Sequence, residues 1–276
     1  MKKKTDGCQN LKSSDMKKRI IYALLYSNGS FHLSRNFRLQ KVGDVDWLKN
    51  NFGFGETCDY IDELMIINVT PNATNKDFEM YFSDIDVLRK KIFVPITLGG
   101  GIRNLNTAKA CFDNGADKIL INFLAHKDFK IINEISKIYG EQAISIMVDF
   151  KSEEQNFFTY TNSGNIKSLS LKEFLQSIKK LKYGEIILNS IDRDGTAAGL
   201  EMKSIGELPS DFNNPVLLMG GAGKPEHFYE VLNNQKISGI ITANLFNFLG
   251  SGLEEARQFS LRKNINLTKF SRIFNE

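Results

Sequence analysis

Short, nearly continuous runs of aliphatic and β-branched residues alternate along this chain with stretches of helical spacing, and the alternation repeats itself. The runs RIIYALL (19–25), ELMIINVT (63–70), ITLGGGIRN (96–104) and KILIN (118–122) recur about 120 residues later as AISIMVD (143–149), EIILNSID (185–192), LLMGGAGKP (217–225) and GIITA (239–243). An internal repeat of this kind constrains the architecture before any single residue does. Between the runs, LNTAKACFDNG (105–115), FKIINEISKIYG (129–140), SLKEFLQSIKKLKYG (170–184) and PEHFYEVLNN (225–234) read as helices, several closing on Gly as a helix stop would.

Apolar strands without polar alternation imply a parallel sheet covered on both faces. Four matched strands per half make eight, which predicts a (β/α)8 TIM barrel built from two repeated half-barrels. An open doubly wound sheet would show the same alternation. The duplication favours closure, because two joined half-barrels leave no free edge. With 276 residues and 42% hydrophobic content, the chain can bury one substantial core. Residues 1–15 read as a flexible polar leader, with Met16 a second candidate start, and residues 16–276 as a single barrel domain.

Composition narrows the function. Cys8, Cys58 and Cys111 lack CxxC spacing, so neither a disulfide framework nor a zinc knuckle is indicated and a cytoplasmic location is expected. No apolar run reaches spanning length, and the N-terminal lysines precede no signal-type apolar core. The net charge of +4 lies largely in MKKK (1–4) and MKKR (16–19), without interleaved aromatics, so no nucleic-acid partner is expected. His32, His126 and His227 are too dispersed for a metal triad and read as loop or helix-surface residues. A nucleophile elbow and a dinucleotide fingerprint are both missing, so no cofactor is expected.

In a barrel the loops after the strands build the site. Gly99, Gly100 and Gly101 follow one strand, and Gly220, Gly221 and Gly223 follow its repeat partner. Glycines there allow backbone amides to approach an anion. Equally, they make tight turns. Their symmetry, with Asn122 and Asn244 after the next strands, points to two phosphate cradles and to a phosphorylated small molecule spanning the mouth. Asp149, Asp192 and Asp194 also fall at or beyond strand ends, where carboxylates can transfer protons. Asp194 with Gly195 is also a common turn, whereas Asp149 caps an apolar strand, where an acid is expensive unless hydrated, paired or used.

RII (19–21), DEL (62–64), GGGI (99–102), GADK (115–118), VDFK (148–151), GEIIL (184–188), SIDRDGT (190–196) and GGAGKPEHF (220–228) together resemble the cyclase subunit of imidazole glycerol phosphate synthase, the HisF family, from about residue 16 to the C-terminus. The resemblance implies a glutaminase partner docked on the N-terminal face of the barrel as a heterodimer. Its ammonia would cross the barrel to meet a ribulosyl intermediate carrying two phosphates. The resemblance also implies that Gly101 and Asn122 hold one phosphate, that Gly195, Gly221, Ala243 and Asn244 hold the other, and that Asp149 is catalytic with Asp194 nearby. Arg19, Glu63, Lys118 and Glu185 would form the gate through which ammonia enters, and Asp62 and Asp117 beside it would fit the docking surface. An ordinary ion-pair network is the plainer reading of those four charges.

The mouth departs from the family pattern. The second catalytic aspartate belongs where Leu25 stands, the first-loop lysine where Leu33 stands, and a threonine where Phe123 stands. Asn68 replaces the acid after the second strand, and Asn244 a serine. A Leu side chain carries no proton, so a two-carboxylate mechanism loses one member. Three readings follow: a paralogue that conducts ammonia to another acceptor, such as a sugar amidation pathway; an authentic cyclase in histidine biosynthesis; and a scaffold that only activates the glutaminase.

Overall fold

The computed structural model describes residues 16–51, 58–90, 92–243 and 251–270. The leader at 1–15 and the anticipated phosphate ligand Asn244 lie outside the described residues. In chain order the strands are β1 (Arg19–Ser27), β2 (Ser30–Arg35), β3 (Arg38–Gly43), β4 (Glu63–Asn68), β5 (Ile96–Gly99), β6 (Lys118–Ile121), β7 (Ile144–Glu153), β8 (Asn156–Thr161), β9 (Ile166–Ser170), β10 (Glu185–Ser190), β11 (Val216–Met219) and β12 (Ile237–Thr242).

Eight of these, β1, β4, β5, β6, β7, β10, β11 and β12, pair in parallel with their neighbours in that order. The β6–β7 pairing, from Ile119 opposite Ile144 to Ile121 opposite Ile146, joins the two halves, β7–β10 continues the second, and β12 beside β1 completes the circle. The open-sheet alternative is thereby excluded.

Each barrel strand divides its side chains by parity. On β1 the outward residues Ile20, Tyr22 and Leu24 join the large core beneath the helices, whereas Ile21, Ala23 and Leu25 point inward. Inside they meet Met65, Ile67, Leu120, Met147, Ile187, Leu217 and Ile241. Burial of each such side chain contributes about 1.5–3 kcal/mol. The anticipated helices form at Leu105–Asp113, Phe129–Tyr139, Leu171–Ile178 and Pro225–Leu232. The third starts on a capping box, with the Ser170 side chain and Glu173 bonding each other's backbone amides. After β10 the connection holds only the 3-10 turn Met202–Glu207.

Two features escaped the sequence reading. The first loop and its repeat counterpart after β7 are both antiparallel hairpins, β2–β3 and β8–β9. Positive φ at both central residues makes the turns that lead into them, Asn28 and Gly29 between β1 and β2 and Glu154 and Gln155 between β7 and β8, and Asn36 and Phe37 turn β2 back onto β3 in the same way. In addition, Arg257, fully buried on the last helix, donates to the carbonyls of Tyr60 (2.9 Å) and Thr268 (2.7 Å) and pairs with Asp62. Asp62 also accepts the Ile20 amide at 2.7 Å, and Asp117 likewise accepts the Ile96 amide at 2.8 Å. Both acids therefore splice one barrel strand to the next, a structural task that accounts for them without a docking partner. Arg257→Met would leave Asp62 without its cation, and an expected loss of about 3–5 kcal/mol is measurable by chemical denaturation.

Candidate active site at the barrel mouth and the ring at its base

Parity fixes what the interior presents at each end. Arg19, Glu63, Lys118 and Glu185 each open a strand with an inward side chain, and the four form a closed ring. Arg19 bonds Glu63 with one nitrogen and Glu185 with the other, at 2.6 Å for the latter. Lys118 Nζ lies 2.7 Å from Glu63 and 3.1 Å from Glu185, which also accepts the Ser145 hydroxyl at 2.7 Å. Both glutamates are nearly buried, with side chains 7% and 6% exposed, so solvent screens these pairs far less than surface ones. Burial alone would lower the Arg19 pKa, but the charges of Glu185 and Glu63 more than offset it and the net shift is upward. At Glu185 burial raises the carboxyl, and Arg19 and Lys118 reverse the sign, leaving it below its usual range. These shifts keep Arg19 and Glu185 charged across neutral pH.

At the opposite end, Asp149 points inward from β7 and is 9% exposed. Its oxygens accept the amides of Asn189 (2.7 Å) and Asn122 (3.0 Å). Burial pushes its carboxyl up to about 7; the Asn189 hydrogen bond opposes this and the charge of Asp194 adds to it. An acid poised there can give or take a proton at neutral pH. The other two aspartates hold backbone. Asp192 accepts the Ser152 amide at 2.7 Å. Asp194 accepts the Ser34 hydroxyl and, at 3.0 Å, the Phe37 amide, clamping the tip of the β2–β3 hairpin. Burial raises its pKa, and those bonds pull it back.

Asn189 was missed by the sequence reading. The signal existed: a polar residue at the inward parity of EIILNS, four residues after Glu185. Its Oδ1 is buried without a hydrogen-bond partner. Asn122, anticipated as a phosphate ligand, spends its side-chain N–H groups on Asp149 and the Met147 carbonyl (3.1 Å). Leu25 sits where the missing acid would be, inward and 8% exposed among the interior aliphatics.

The glycines are explained first by close packing. A Cβ on Gly195 (φ +67°) would lie 2.1 Å from the Ser34 carbonyl oxygen, and one on Gly221 (φ +101°) 2.2 Å from that of Gly199. Gly101 (φ +70°) lies under the Phe78 ring, which a Cβ would meet at 2.9 Å. A cavity of about 330 Å³ brings together Asp194, Gly195, Gly221 and Ala243 with Leu33, Arg35 and Arg38 from the first hairpin. None of its lining comes from Gly101, Asn122 or Phe123. His227 is not a surface residue: it is 8% exposed and accepts the Gly223 amide, whereas His126 is half-buried on a short helix and stacks on Phe174 at 4.2 Å. Among the described residues no three His, Cys, Asp or Glu converge as a metal site, and no helix is long and apolar enough to cross a membrane.

These features define a class: a duplicated (β/α)8 barrel with an acid and glycine loops at the C-terminal ends of its strands and a closed charge ring at the other end. The histidine biosynthesis protein family model matches residues 58–250. Over 89% of its length the chain is 38% identical to a protein of Parasynechococcus marenigrum provisionally named imidazole glycerol phosphate synthase subunit hisF2, covering 91% of that protein. It is 33% identical to the HisF subunit of Sulfurisphaera tokodaii over 91% of this chain and 98% of the relative, and 30% identical to that of Chlorobium limicola over 88% and 95%. The chain belongs to this family as a diverged, HisF-like member.

Proposed function

We propose that this chain is a cytoplasmic HisF-like subunit that docks a glutaminase on the N-terminal face of its barrel, admits the ammonia through the ring of Arg19, Glu63, Lys118 and Glu185, and passes it at the mouth to an acceptor other than the ribulosyl bisphosphate. The observation that carries this reading is the contrast between the ends of β1. Arg19 is bonded into an intact ring, whereas Leu25 offers no proton six residues on. Asp149, poised near neutrality between two amides, favours a second reading, the cyclase itself with a single acid.

Glutamine labelled at its amide nitrogen tests the main reading. With a synthase-type glutaminase, Arg19→Met and Lys118→Met are expected to leave glutamine hydrolysis intact while cutting label arriving at the mouth at least tenfold relative to label released to solvent. Unchanged delivery would remove conduction from the account. Docking has its own probe. Phe93 precedes β5 on the N-terminal face and is 94% exposed, beside Lys90 and Asp117. An aromatic anchor of this kind commonly dominates an interface. Phe93→Asp is expected to weaken glutaminase binding at least tenfold with no change in melting temperature, as read by calorimetric titration.

A further inference from the structure

The two halves of the mouth are not equivalent. At the second-half cradle the cavity is open, and the first hairpin supplies two arginines to it. Arg35 and Arg38 are directly opposed across the β2–β3 ladder, flanking its turn. Like charges opposed in this way repel. Neither forms an ion pair with any described residue, whereas Arg193 of the neighbouring loop is already engaged by Glu201 (3.4 Å) and the Ala198 carbonyl (3.3 Å). Asp194, the acid nearest the hairpin, is committed to the Ser34 hydroxyl and the Phe37 amide, which fix the tip that carries both arginines. Local charge conflict held in place by surrounding structure is characteristic of ligand sites. A tetrahedral dianion between the two guanidiniums would relieve it with charge-assisted hydrogen bonds.

At the first-half cradle, where Gly101 is exposed, the neighbours are aromatic rings. The Phe78 ring lies on Gly101. Phe123, beside Asn122, carries the Arg103 guanidinium over its ring at 4.9 Å, so the local cation is turned onto an aromatic face. We propose that the mouth anchors its ligand by a single phosphate group, held in the second-half cradle by Arg35 and Arg38, and that the first cradle, with Phe78 beside its glycine and Phe123 occupying its cation, takes none. The ligand class is then a phosphate monoester or other singly anchored phosphorylated acceptor, not a molecule tethered at both ends. This deepens the proposed reading, since it rests on the mouth receiving a small-molecule acceptor. Phosphate binding and ammonia delivery are measured separately, so one can fail without the other.

Equilibrium dialysis of the full chain against radiolabelled inorganic phosphate at low salt gives the test. One phosphate per chain is expected. Arg35→Gln and Arg38→Gln, both at exposed positions, should each weaken binding at least tenfold with unchanged melting temperature, and the double variant should abolish it. Phe123→Thr should add a second, independent phosphate. Two sites in the unaltered chain, no binding at millimolar phosphate, or binding indifferent to both arginines would overturn the single anchor. A Phe123→Thr chain that folds and still takes up one phosphate would overturn the role of that ring in excluding phosphate, and Phe78→Ala repeats the measurement should that variant not fold.

Discussion

Asp149→Asn is expected to cut glutamine-dependent transfer at the mouth by about 10²- to 10⁴-fold, the usual cost of losing an acid or base, and at the same time to stabilise the fold above pH 7. Burial holds the native Asp149 carboxyl near 7. In the unfolded chain the same group titrates near 3.9. Between those values the native state binds the extra proton, so stability falls as pH rises from about 4 to about 7 and stays reduced beyond. The shift corresponds to a ceiling on the order of 4 kcal/mol. Asparagine removes the charge at nearly constant shape, and Asn189 can turn its unpartnered oxygen toward the new amide. Denaturation midpoints at pH 4 and pH 8 check this. The gain should appear only at pH 8, and a loss of stability there would contradict the assignment of Asp149 as a strained, functional acid.

Glu185→Ala is expected to destabilise the fold by about 3–5 kcal/mol, because it leaves two buried cations, Arg19 and Lys118, sharing the single carboxylate of Glu63 and removes the Ser145 hydroxyl's acceptor. Replacing the whole ring is a different experiment. With Arg19→Met, Glu63→Leu, Lys118→Met and Glu185→Leu together, desolvation costs disappear along with the attractions, and stability is expected to be neutral or improved. Ammonia delivery should nonetheless be lost, since an apolar plug has no polar groups to part around a small polar solute. If the four-fold variant is both stable and fully competent, the ring is only a structural network.

Much of this was legible in the chain because strand parity is strict. Once Glu63 and Glu185 are taken as inward, the interior of β4 and β10 can be counted off by twos, and the internal repeat supplies the number of strands. Asn189 follows from the same count. Its bond to Asp149, which also accepts the Asn122 amide, does not, because that cluster joins the C-terminal ends of three neighbouring strands, β6, β7 and β10, brought together by the closed sheet. The turn into the first hairpin was signalled locally by Asn28-Gly29, but Glu154-Gln155 gives no such signal for the second, and apolar periodicity is weak in β3 and β9, which are mostly exposed. The single-sided cavity was not readable at all. It depends on where the first hairpin folds over the Asp194 loop, and symmetric glycine motifs gave no hint that aromatic rings stand beside only one of them.

The central claim is that ammonia enters as in the family but meets a changed mouth. Mixing the chain with a synthase-type glutaminase, the ribulosyl bisphosphate intermediate and an ammonium salt measures it directly, with imidazole glycerol phosphate as the product followed. The account predicts formation at least 10²-fold slower than in family members that carry the first-strand aspartate, with a gain in the Leu25→Asp, Leu33→Lys double variant. Formation by the unaltered chain at the rate of those members would contradict it.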